Sequence, residues 1–315
     1  MDIDAVLFAA GRGERLRPLS DRIPKPAVPI LDVPLGAWGL HGLLAVSERA
    51  AINVSHLPEA ALAALAPYAE EGDLEVLLEP EEPFGTAGTL RALEGRLADD
   101  VAVWNGDLLA AVDVGALREL HRSSGRPATL AVRRVERGAD LVIEGHRAVA
   151  FIDRRTEPEA AGVQFLGVAI LSREARALIP ADGAQGLGGA VIQPLAEAGE
   201  LSVMIHDGYT IDVGTPHRYL QANLDVLAGR APPPPHPPRG TVVTAGSGSA
   251  YLGPGASAER SSLGPGAIVL AGAVVEPSGH IERSVVWPGL PATGTVVDSI
   301  WCDGAIDARE NQATD

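Results

Sequence analysis

Short apolar runs alternate with amphipathic stretches along the first 228 residues of the chain. The runs have the length of buried strands, and the stretches between them repeat apolar residues at helical spacing. Strands are predicted at residues 5–8, 51–54, 74–78, 101–104, 129–132 and 167–171. Helices are predicted at residues 35–48, 59–68, 86–93, 114–123, 189–198 and 217–227. Because this alternation favours βαβ units, we expect an α/β fold with a Rossmann-like, doubly wound, mainly parallel sheet.

A proline tract at residues 231–238 interrupts this pattern. Prolines lack a backbone N–H donor and restrict φ, so the tract favours an extended polyproline II conformation over a helix or a strand. We therefore expect three parts: a first domain over residues 1–230, a semi-rigid linker over 231–239 and a second domain over 240–315.

The last part carries an internal repeat. The sequence Leu-Gly-Pro-Gly-Ala at 252–256 recurs at 263–267, and the apolar residues Val269, Val275, Ile281 and Trp287 follow at intervals of six. Short repeats are typical of solenoids, in which every coil buries its apolar residues against the next coil. We expect a short parallel β-helix of about three coils, and an irregular β tail remains the alternative.

Composition and charge exclude several classes of protein. The chain has 315 residues, and its 41 acidic against 25 basic side chains give a net charge of −16 without a local basic cluster. We therefore expect no nucleic-acid or membrane partner. We also expect neither a membrane helix, which needs about 20 apolar residues, nor a cleavable leader. The single cysteine, Cys302, cannot form an internal disulfide, and we expect a cytoplasmic protein.

Lysine occurs once in the chain, at position 25. Because arginine is used at every other basic position, Lys25 marks either a site that prefers a compact ammonium or a lysine that persists by chance. Pro24 and Pro26 flank it and stiffen the segment that presents it. A fixed cation of this kind is what phosphoryl or nucleotidyl transfer requires.

A glycine-rich segment follows the first predicted strand. Gly11 and Gly13 allow the backbone to approach a polyphosphate closely, with its N–H groups and the Arg15 guanidinium as donors. The dinucleotide-binding motif would need a third glycine where Leu16 stands, and a Walker A loop would need Gly-Lys-Ser/Thr. Both of these nucleotide-binding motifs are therefore disfavoured.

Two later clusters have the residue types of a nucleotide site. Thr86, Ala87 and Gly88 open a predicted helix and admit a flat base or ribose, although Thr86 by itself is better explained as a helix cap. Asp107 follows the strand at 101–104, at the edge where α/β sheets bind ligands, and a carboxylate there suits Mg²⁺. Asp113, six residues later, is better explained as a helix cap.

A second candidate metal ligand lies far along the chain. Asp212 precedes a turn and the predicted helix at 217–227. Its carboxylate either completes the metal site begun by Asp107 or only shapes the turn.

Taken together, these motifs resemble the sugar-1-phosphate nucleotidyltransferases. The resemblance rests on residues 9–19, Pro24-Lys25-Pro26, residues 85–88, Asn105-Gly106-Asp107 and residues 212–216, which occur in the family's order. It covers residues 3–228, and the tail resembles the left-handed β-helix that many members append for assembly or regulation. The implied reaction joins a nucleoside triphosphate and a sugar-1-phosphate into a nucleotide sugar and pyrophosphate, with Mg²⁺ as cofactor. The tail implies a homo-oligomer formed through the C-terminal domain.

The resemblance also implies a role for individual residues. The nucleotide-binding residues would be Ala10, Gly11, Gly13, Thr86, Ala87 and Gly88, and the catalytic residues would be Arg15 and Lys25. The metal ligands would be Asp107 and Asp212, and the sugar-phosphate residues would be Gly167 and Asp153. In-line attack of a phosphate oxygen on the α-phosphorus needs alignment and positive charge but no protein nucleophile.

One departure from the family concerns the sugar phosphate. Many members carry a Glu-Lys pair before the sugar-binding strand, whereas this chain has Asp153-Arg154-Arg155, so that either arginine is a candidate replacement for the lysine. Residues 52–57 are similar to N-acetylmuramate-1-phosphate uridylyltransferases, and residues 85–88 and the tail are similar to mannose-1-phosphate guanylyltransferases. The base and the sugar stay open, with the guanylyltransferase as first choice and a uridylyl- or thymidylyltransferase as alternative.

Two alternatives come from other functional classes. A non-catalytic sensor of nucleotide sugars would typically lack the lysine or a metal carboxylate, yet Lys25, Asp107 and Asp212 are all present. An acyltransferase tail would need a general-base histidine, and residues 240–315 contain only His280. We therefore favour the active nucleotidyltransferase.

Overall fold

A computed structural model describes residues 2–69, 74–183 and 186–309 of the chain. The chain forms two compact units, each built from two segments of sequence. The first unit combines Met1–Gly11 with Trp38–Gly208, and the second combines Arg12–Ala37 with Tyr209–Asp315. The proline tract predicted as a linker lies within the second unit.

Eight α-helices are found among the described residues. They are α1 (Leu19–Arg22), α2 (Gly36–Leu44), α3 (Pro58–Leu65), α4 (Gly85–Leu93), α5 (Val114–Ser124), α6 (Arg173–Arg176), α7 (Gln193–Glu197) and α8 (Pro216–Leu227). A π-helical turn, Gly188–Ile192, runs directly into α7. The 3-10 turns are Glu14–Leu16, Lys25–Ala27, Ala66–Tyr68, Glu94–Arg96 and Arg260–Ser262.

The strands fall into two groups along the sequence. Those before the proline tract are β1 (Ile3–Phe8), β2 (Pro29–Ile30), β3 (Val33–Pro34), β4 (Ala50–Val54), β5 (Leu74–Leu78), β6 (Leu97–Asn105), β7 (Leu108–Ala110), β8 (Ala128–Val135), β9 (Leu141–Glu144), β10 (Arg147–Phe151), β11 (Gly162–Ser172), β12 (Leu201–Ile205) and β13 (Thr210–Asp212). Those after it are β14 (Thr241–Ala245), β15 (Gly248–Leu252), β16 (Ala267–Val269), β17 (Val274–Val275), β18 (His280–Glu282), β19 (Ser284–Val286), β20 (Pro291–Ala292), β21 (Thr295–Val297), β22 (Ser299–Trp301) and β23 (Ala305–Asp307).

The first unit is organised around a nine-stranded sheet with the strand order β5-β4-β1-β6-β11-β8-β12-β10-β9. Strands β5, β4, β1 and β6 are parallel, with Leu7 paired to Ile52 and to Trp104. Strand β11 runs antiparallel to both of its neighbours, β6 and β8. The α/β class is confirmed, but the prediction of a mainly parallel sheet is wrong because the sheet is mixed. A hydrophobic pattern reports strand burial, whereas strand direction depends on the connections.

Both faces of this sheet are covered by apolar residues. Val6 and Phe8 of β1 pack into one buried cluster, whereas Ala5 and Leu7 pack into the other. This alternation explains why β1 is a continuous apolar run rather than an amphipathic one. The six predicted strands and six predicted helices all occur, although the helix predicted at 189–198 begins as a π-helical turn. The β9–β10 hairpin has no counterpart in the prediction.

The second unit contains α8, the short β2–β3 hairpin and the strands after the proline tract. These later strands form parallel ladders in which Tyr251 pairs with Ile268 and Ile268 with Val285. Two more parallel pairs, β17–β20 and β18–β21, form separate small sheets. Antiparallel strands, β14 and β23, close the two ends of the first ladder.

The repeat residues lie where the sequence predicts them. Val269, Val275 and Ile281 belong to one buried cluster, and Trp287 is also buried. Its ring lies 5.8 Å from that of Tyr219 on α8. The apolar period of six therefore identifies three inward-facing positions, whereas Trp287 packs against α8 instead. Within the described part of the chain, no helix is long and apolar enough to cross a membrane.

Candidate functional site

The start of the glycine-rich segment is held by hydrogen bonds from β4. Strand β1 ends at Phe8, and the backbone N–H of Ala9 donates to Asn53 Oδ1 at 2.7 Å. The Ser55 hydroxyl donates to the carbonyl of Ala10 at 2.7 Å. A Cβ at Gly11 would have no heavy atom within 4 Å, so the surroundings of Gly11 are open. Ala10 and Gly11 thus present backbone groups from a fixed strand end.

A buried polar network extends from this point to α4. Asn53 donates from Nδ2 to Glu79 Oε1 at 2.9 Å and to Thr89 Oγ1 at 2.8 Å. The other carboxylate oxygen of Glu79 accepts from the backbone N–H of Phe84 at 2.9 Å, immediately before α4. Asn53, Glu79 and Thr89 are each at most 8% exposed. The sequence pattern does not predict this network, although Asn53 in an otherwise apolar strand is a usable signal.

The predicted base and ribose segment lies at the N-terminus of α4. Ala87 and Gly88 are buried, and the Thr86 hydroxyl accepts a hydrogen bond from the backbone N–H of Leu187 at 2.9 Å. Thr86 therefore does not cap α4, and its side chain ties the helix to the turn that leads into the π-helical segment. The cap expected at Asp113 is confirmed, because its carboxylate accepts from the N–H of Ala116 on α5.

Asp107 occupies the turn between β6 and β7 and is partly buried. The preceding residue, Gly106, donates its backbone N–H to the carbonyl of Phe8 at 2.8 Å, which fixes the turn against the end of β1. The carboxylate is therefore placed at the carboxyl end of β6, as the sequence predicts.

Gly167 lies at an irregularity of β11, where the pairing with β8 shifts between Phe165 and Ala169. Its φ is +86°, and an added Cβ would come within 2.4 Å of Asn105 Nδ2. Both the backbone conformation and the close approach of Asn105 require glycine here. The structure therefore explains why residue 167 is a glycine. The approach of a sugar to this position stays a prediction.

Arg154 and Arg155, the two candidate replacements for the lysine, have different environments. Arg154 pairs with Asp140 at 2.8 Å, and Asp140 also accepts from the N–H of Phe165 on β11 at 2.9 Å. Burial raises the pKa of Asp140 above its ordinary value. Arg155 is 89% exposed and pairs with Asp153 at 2.7 Å. Its hydrogen bonds lower the pKa of Asp153 to about 2. Only Arg154 is connected to the strand that carries Gly167.

In the second unit, Gly13 packs against the lysine segment. Gly13 has φ +64°, and an added Cβ would lie 3.0 Å from Ser20 Cβ and 3.3 Å from Lys25 Cβ. The Ser20 hydroxyl donates to the Gly13 carbonyl at 2.7 Å, and Ser20 is fully buried. The second glycine of the motif is therefore needed both for its left-handed backbone and for this close packing. Ser20 is a further contributor that the sequence does not reveal.

Lys25 is directed toward the second predicted metal ligand. Its Nζ lies 3.6 Å from Oδ1 of Asp212, and the lysine side chain is only 11% exposed. A Cβ added at Gly214 would lie 3.1 Å from Arg15 Nη2 and 3.1 Å from Asp212 Oδ1. Arg15 and Asp212 therefore lie beside Gly214, and Lys25 lies beside Asp212, all within one unit. The two cations meet the charge requirement of a polyphosphate site.

The predicted residues thus form two sets. One set lies in the first unit and comprises Ala10, Gly11, Thr86, Ala87, Gly88, Asp107, Asp153 and Gly167, and the other lies in the second unit and comprises Gly13, Arg15, Lys25 and Asp212. The described residues contain no group of three or more His, Cys, Asp or Glu side chains placed to hold a metal ion. A hard cation that keeps water or phosphate oxygens as its other ligands fits one or two carboxylates, which is the usual demand of Mg²⁺.

Several known proteins are similar to this chain over most of its length. Residues 4–229 match the family model described as nucleotidyl transferase. The chain is 29% identical over 298 residues to the mannose-1-phosphate guanylyltransferase of Mycobacterium tuberculosis, which covers 91% of this chain and 80% of the relative. It is 26% identical over 346 aligned positions to the UTP–glucose-1-phosphate uridylyltransferase of Synechocystis, which covers 95% and 88%.

A crystal structure of HddC from Yersinia pseudotuberculosis shares the fold, with a TM-score of 0.57 and 22% identity over 71% of this chain and 98% of that chain. The family model spans well over half of the 315 residues and includes every predicted site residue. The chain therefore belongs to the nucleotidyl transferase family, as its motifs predict.

Proposed function

We propose that this enzyme makes a nucleotide sugar and pyrophosphate from a nucleoside triphosphate and a sugar-1-phosphate, with GTP and mannose-1-phosphate as its substrates. The observation that carries the proposal is the position of Asp212, which lies beside Lys25 and shares the surroundings of Gly214 with Arg15. Several relatives named mannose-1-phosphate guanylyltransferase, including that of Mycobacterium tuberculosis, support the choice of base and sugar.

The reaction is an in-line attack by an oxygen of the sugar-1-phosphate on the α-phosphorus of GTP. A new P–O bond forms, the bond between the α-phosphorus and the bridging oxygen to the β-phosphorus breaks, and pyrophosphate leaves. Arg15 and Lys25 stabilise the negative charge that develops on the phosphate oxygens. Because the phosphate oxygen is already a nucleophile, the protein supplies alignment and charge rather than a covalent intermediate.

Residues of the first unit are proposed to hold the rest of the nucleotide. Ala10 and Gly11 offer backbone groups at the end of β1, and residues 86–88 offer a small-residue surface at the start of α4. The Asn53–Glu79–Thr89 network fixes both segments relative to each other through buried hydrogen bonds. It therefore acts as a support for the nucleotide-binding segments rather than as a ligand itself.

We propose Mg²⁺ as the cofactor, with Asp107 and Asp212 as its protein ligands. When bound, the ion would neutralise phosphate charge and orient the triphosphate. Lys25 lies 3.6 Å from Asp212, so the lysine holds that carboxylate in place while its own ammonium remains near the phosphates.

On the sugar side, we propose Gly167, Asp153 and Arg154. Gly167 allows a ligand to approach β11 closely, and Arg154 is held toward that strand by Asp140. Arg155 is engaged with Asp153 at the surface, so we assign the phosphate-binding role of the family's lysine to Arg154 rather than to Arg155.

The C-terminal region is proposed to be a short left-handed β-helix, within a domain that spans residues 240–315 after a linker at 231–239 and a catalytic domain at 1–230. The parallel ladders and the buried repeat residues support this proposal. We further propose that this region forms a homo-oligomer and that the protein works in the cytoplasm.

The experiment measures pyrophosphate release with Mg²⁺ for GTP, UTP, dTTP, ATP and CTP, each combined with mannose-, glucose-, N-acetylglucosamine- and N-acetylmuramate-1-phosphate. We expect the highest kcat/KM for GTP with mannose-1-phosphate. A higher value for UTP or dTTP with another sugar would overturn the substrate assignment. If no pair reacted while nucleotide sugars raised the Tm, the non-catalytic sensor would replace the enzyme.

A further inference from the structure

The β2–β3 hairpin follows directly after the lysine segment and has a strained turn. Its two central residues, Leu31 and Asp32, have φ of +47° and +67°. Asp tolerates the left-handed conformation, whereas a bulky residue such as Leu adopts it only when its surroundings enforce it. The hairpin is therefore held in shape by contacts outside itself.

One set of contacts comes from α8. The Tyr219 hydroxyl donates to the Pro29 carbonyl at 2.7 Å, and the N–H of Leu31 donates to Asn223 Oδ1 at 3.0 Å. Tyr219 and Asn223 are both fully buried. The backbone of the hairpin is thus fixed on the side that faces α8.

A second set of contacts comes from the C-terminal region, residues 240–308. The Tyr251 hydroxyl donates to Asp32 Oδ2 at 2.6 Å, and the N–H of Ala271 donates to Asp32 Oδ1 at 3.1 Å. The same hydroxyl accepts from the N–H of Gly240 at 2.9 Å. Both carboxylate oxygens of Asp32 therefore bind donors that lie more than 200 residues away in the sequence.

The first copy of the sequence repeat is shaped to receive this carboxylate. An added Cβ at Gly253 would lie 2.7 Å from Asp32 Oδ2 and 2.6 Å from the N–H nitrogen of Ala271. The equivalent glycine of the second copy, Gly264, faces Glu282 of the same region instead. The two copies therefore differ in what they contact, and only the first contacts the hairpin carboxylate.

The connection from Asp32 to Lys25 is short and stiff. The 3-10 turn Lys25–Ala27 is followed by β2, and Pro26 and Pro29 restrict the backbone between them. On the other side of Lys25, Arg22 of α1 forms an ion pair with Asp303. The chain therefore contacts the C-terminal region both before Lys25, through Arg22, and after it, through Asp32.

We propose that Asp32 and Tyr251 are positioning residues, through which the C-terminal region holds Lys25 in its catalytic place. The role of Lys25 in catalysis rests on the proposed function, whereas its position does not. The turn alone explains why position 32 holds a residue that tolerates positive φ. It does not explain why the carboxylate accepts two hydrogen bonds from a distant segment. The C-terminal region is therefore part of the machinery that orders the active site.

The single lysine makes this proposal testable without any substrate. Protein labelled with ¹³C-lysine gives one side-chain signal, that of Lys25. We expect an ordered lysine in the wild type, and a sharper signal shifted toward that of free lysine in Tyr251→Phe and Asp32→Asn. Asn keeps the tolerance for the left-handed turn but can accept from only one of the two donors, and Phe keeps the ring but loses the hydroxyl. Near-UV circular dichroism confirms that each variant is folded.

Asp298→Asn is the matched control. Asp298 also has a positive φ and also accepts side-chain hydrogen bonds in the C-terminal region, but from Arg283 at 2.7 Å. We expect its Lys25 signal to equal that of the wild type. An unchanged signal in folded Tyr251→Phe would overturn the proposal, as would an equal change in all three variants. If Asp32→Asn does not fold, Tyr251→Phe decides the result.

Kinetics supply a second measurement on the full-length protein. With Tyr251→Phe we expect kcat to fall by about tenfold, since a misplaced catalytic group lowers turnover, and the KM for the nucleotide to change by less than about twofold. A loss confined to KM would contradict a positioning role at Lys25. If the wild type itself released no pyrophosphate, the proposed function would fail, and the lysine signal would still test the positioning.

Discussion

Lys25 Nζ lies 3.6 Å from Asp212 Oδ1, although eight strands of the nine-stranded sheet lie between these residues in the sequence. The pair joins the only lysine of the chain to the carboxylate that we propose as a metal ligand. The proposed catalytic cation and the proposed metal ligand thus form an ion pair within one unit. Substitutions at either residue should therefore affect chemistry more than folding.

Lys25→Arg should lower kcat by roughly 100-fold, the order found when a preorganised charge is lost from a transition-state site. A planar guanidinium cannot occupy the place of a largely buried ammonium without moving the charge. The Tm should stay within a few degrees of the wild-type value. The control is Arg17→Lys, since Arg17 is 57% exposed. Near-wild-type turnover in Lys25→Arg would show that the lysine has no catalytic role.

Asp212→Asn should raise the Mg²⁺ concentration that gives half-maximal activity, because a neutral amide is a weaker ligand for a hard cation. We expect a shift of about tenfold. The measurement is a Mg²⁺ titration of the rate at saturating substrates. Asp207→Asn, at an exposed position, is the control. An unchanged titration midpoint in Asp212→Asn would remove this residue from the metal site.

Gly167→Ala should destabilise the protein by about 3 kcal/mol, because strain from positive φ adds to a clash with Asn105. Gly138→Ala separates the two effects: Gly138 has φ +69°, but an added Cβ would have no atom within 4 Å. We expect about 1 kcal/mol for this control. Chemical denaturation measures both free energies of unfolding. Equal losses would show that the close approach of Asn105 does not matter.

Arg154→Ala should raise the KM for the sugar-1-phosphate by about tenfold, as expected for loss of one charge-assisted contact with a phosphate. Arg155→Ala should change it by less than about twofold, because Arg155 is exposed and pairs only with its neighbour Asp153. The comparison needs initial rates at varied sugar-1-phosphate and saturating nucleotide. If Arg155→Ala had the larger effect, the assignment of these two arginines would be reversed.

Much of the architecture follows from the apolar pattern. Strand β1 and its parallel neighbours are buried on both faces, so they appear as continuous apolar runs that any periodicity analysis finds. The direction of β11 is not encoded in this way, because it is set by the β9–β10 hairpin that precedes it. For this reason the sheet is mixed where a mainly parallel sheet is predicted.

The candidate site likewise contains residues that the sequence reveals and residues that only the folded structure reveals. Lys25 stands out by being the only lysine, Asp107 by following an apolar strand, and Asp212 by preceding a turn and a predicted helix. In contrast, Asn53 and Glu79 come together only through the register of β4 and β5 and a turn after them. Contacts of this kind depend on tertiary placement, so composition and spacing cannot reveal them.

Nucleotidyl transfer is distinguished from other reactions of GTP by labelling its α- and γ-phosphates separately. The protein is incubated with Mg²⁺, mannose-1-phosphate and GTP labelled with ³²P at either the α or the γ position. We expect the α label in GDP-mannose and the γ label in pyrophosphate, because attack occurs at the α-phosphorus. Two results would contradict the proposed nucleotidyl transfer. One is label in free phosphate, and the other is the absence of any labelled product that depends on mannose-1-phosphate, with either form of labelled GTP.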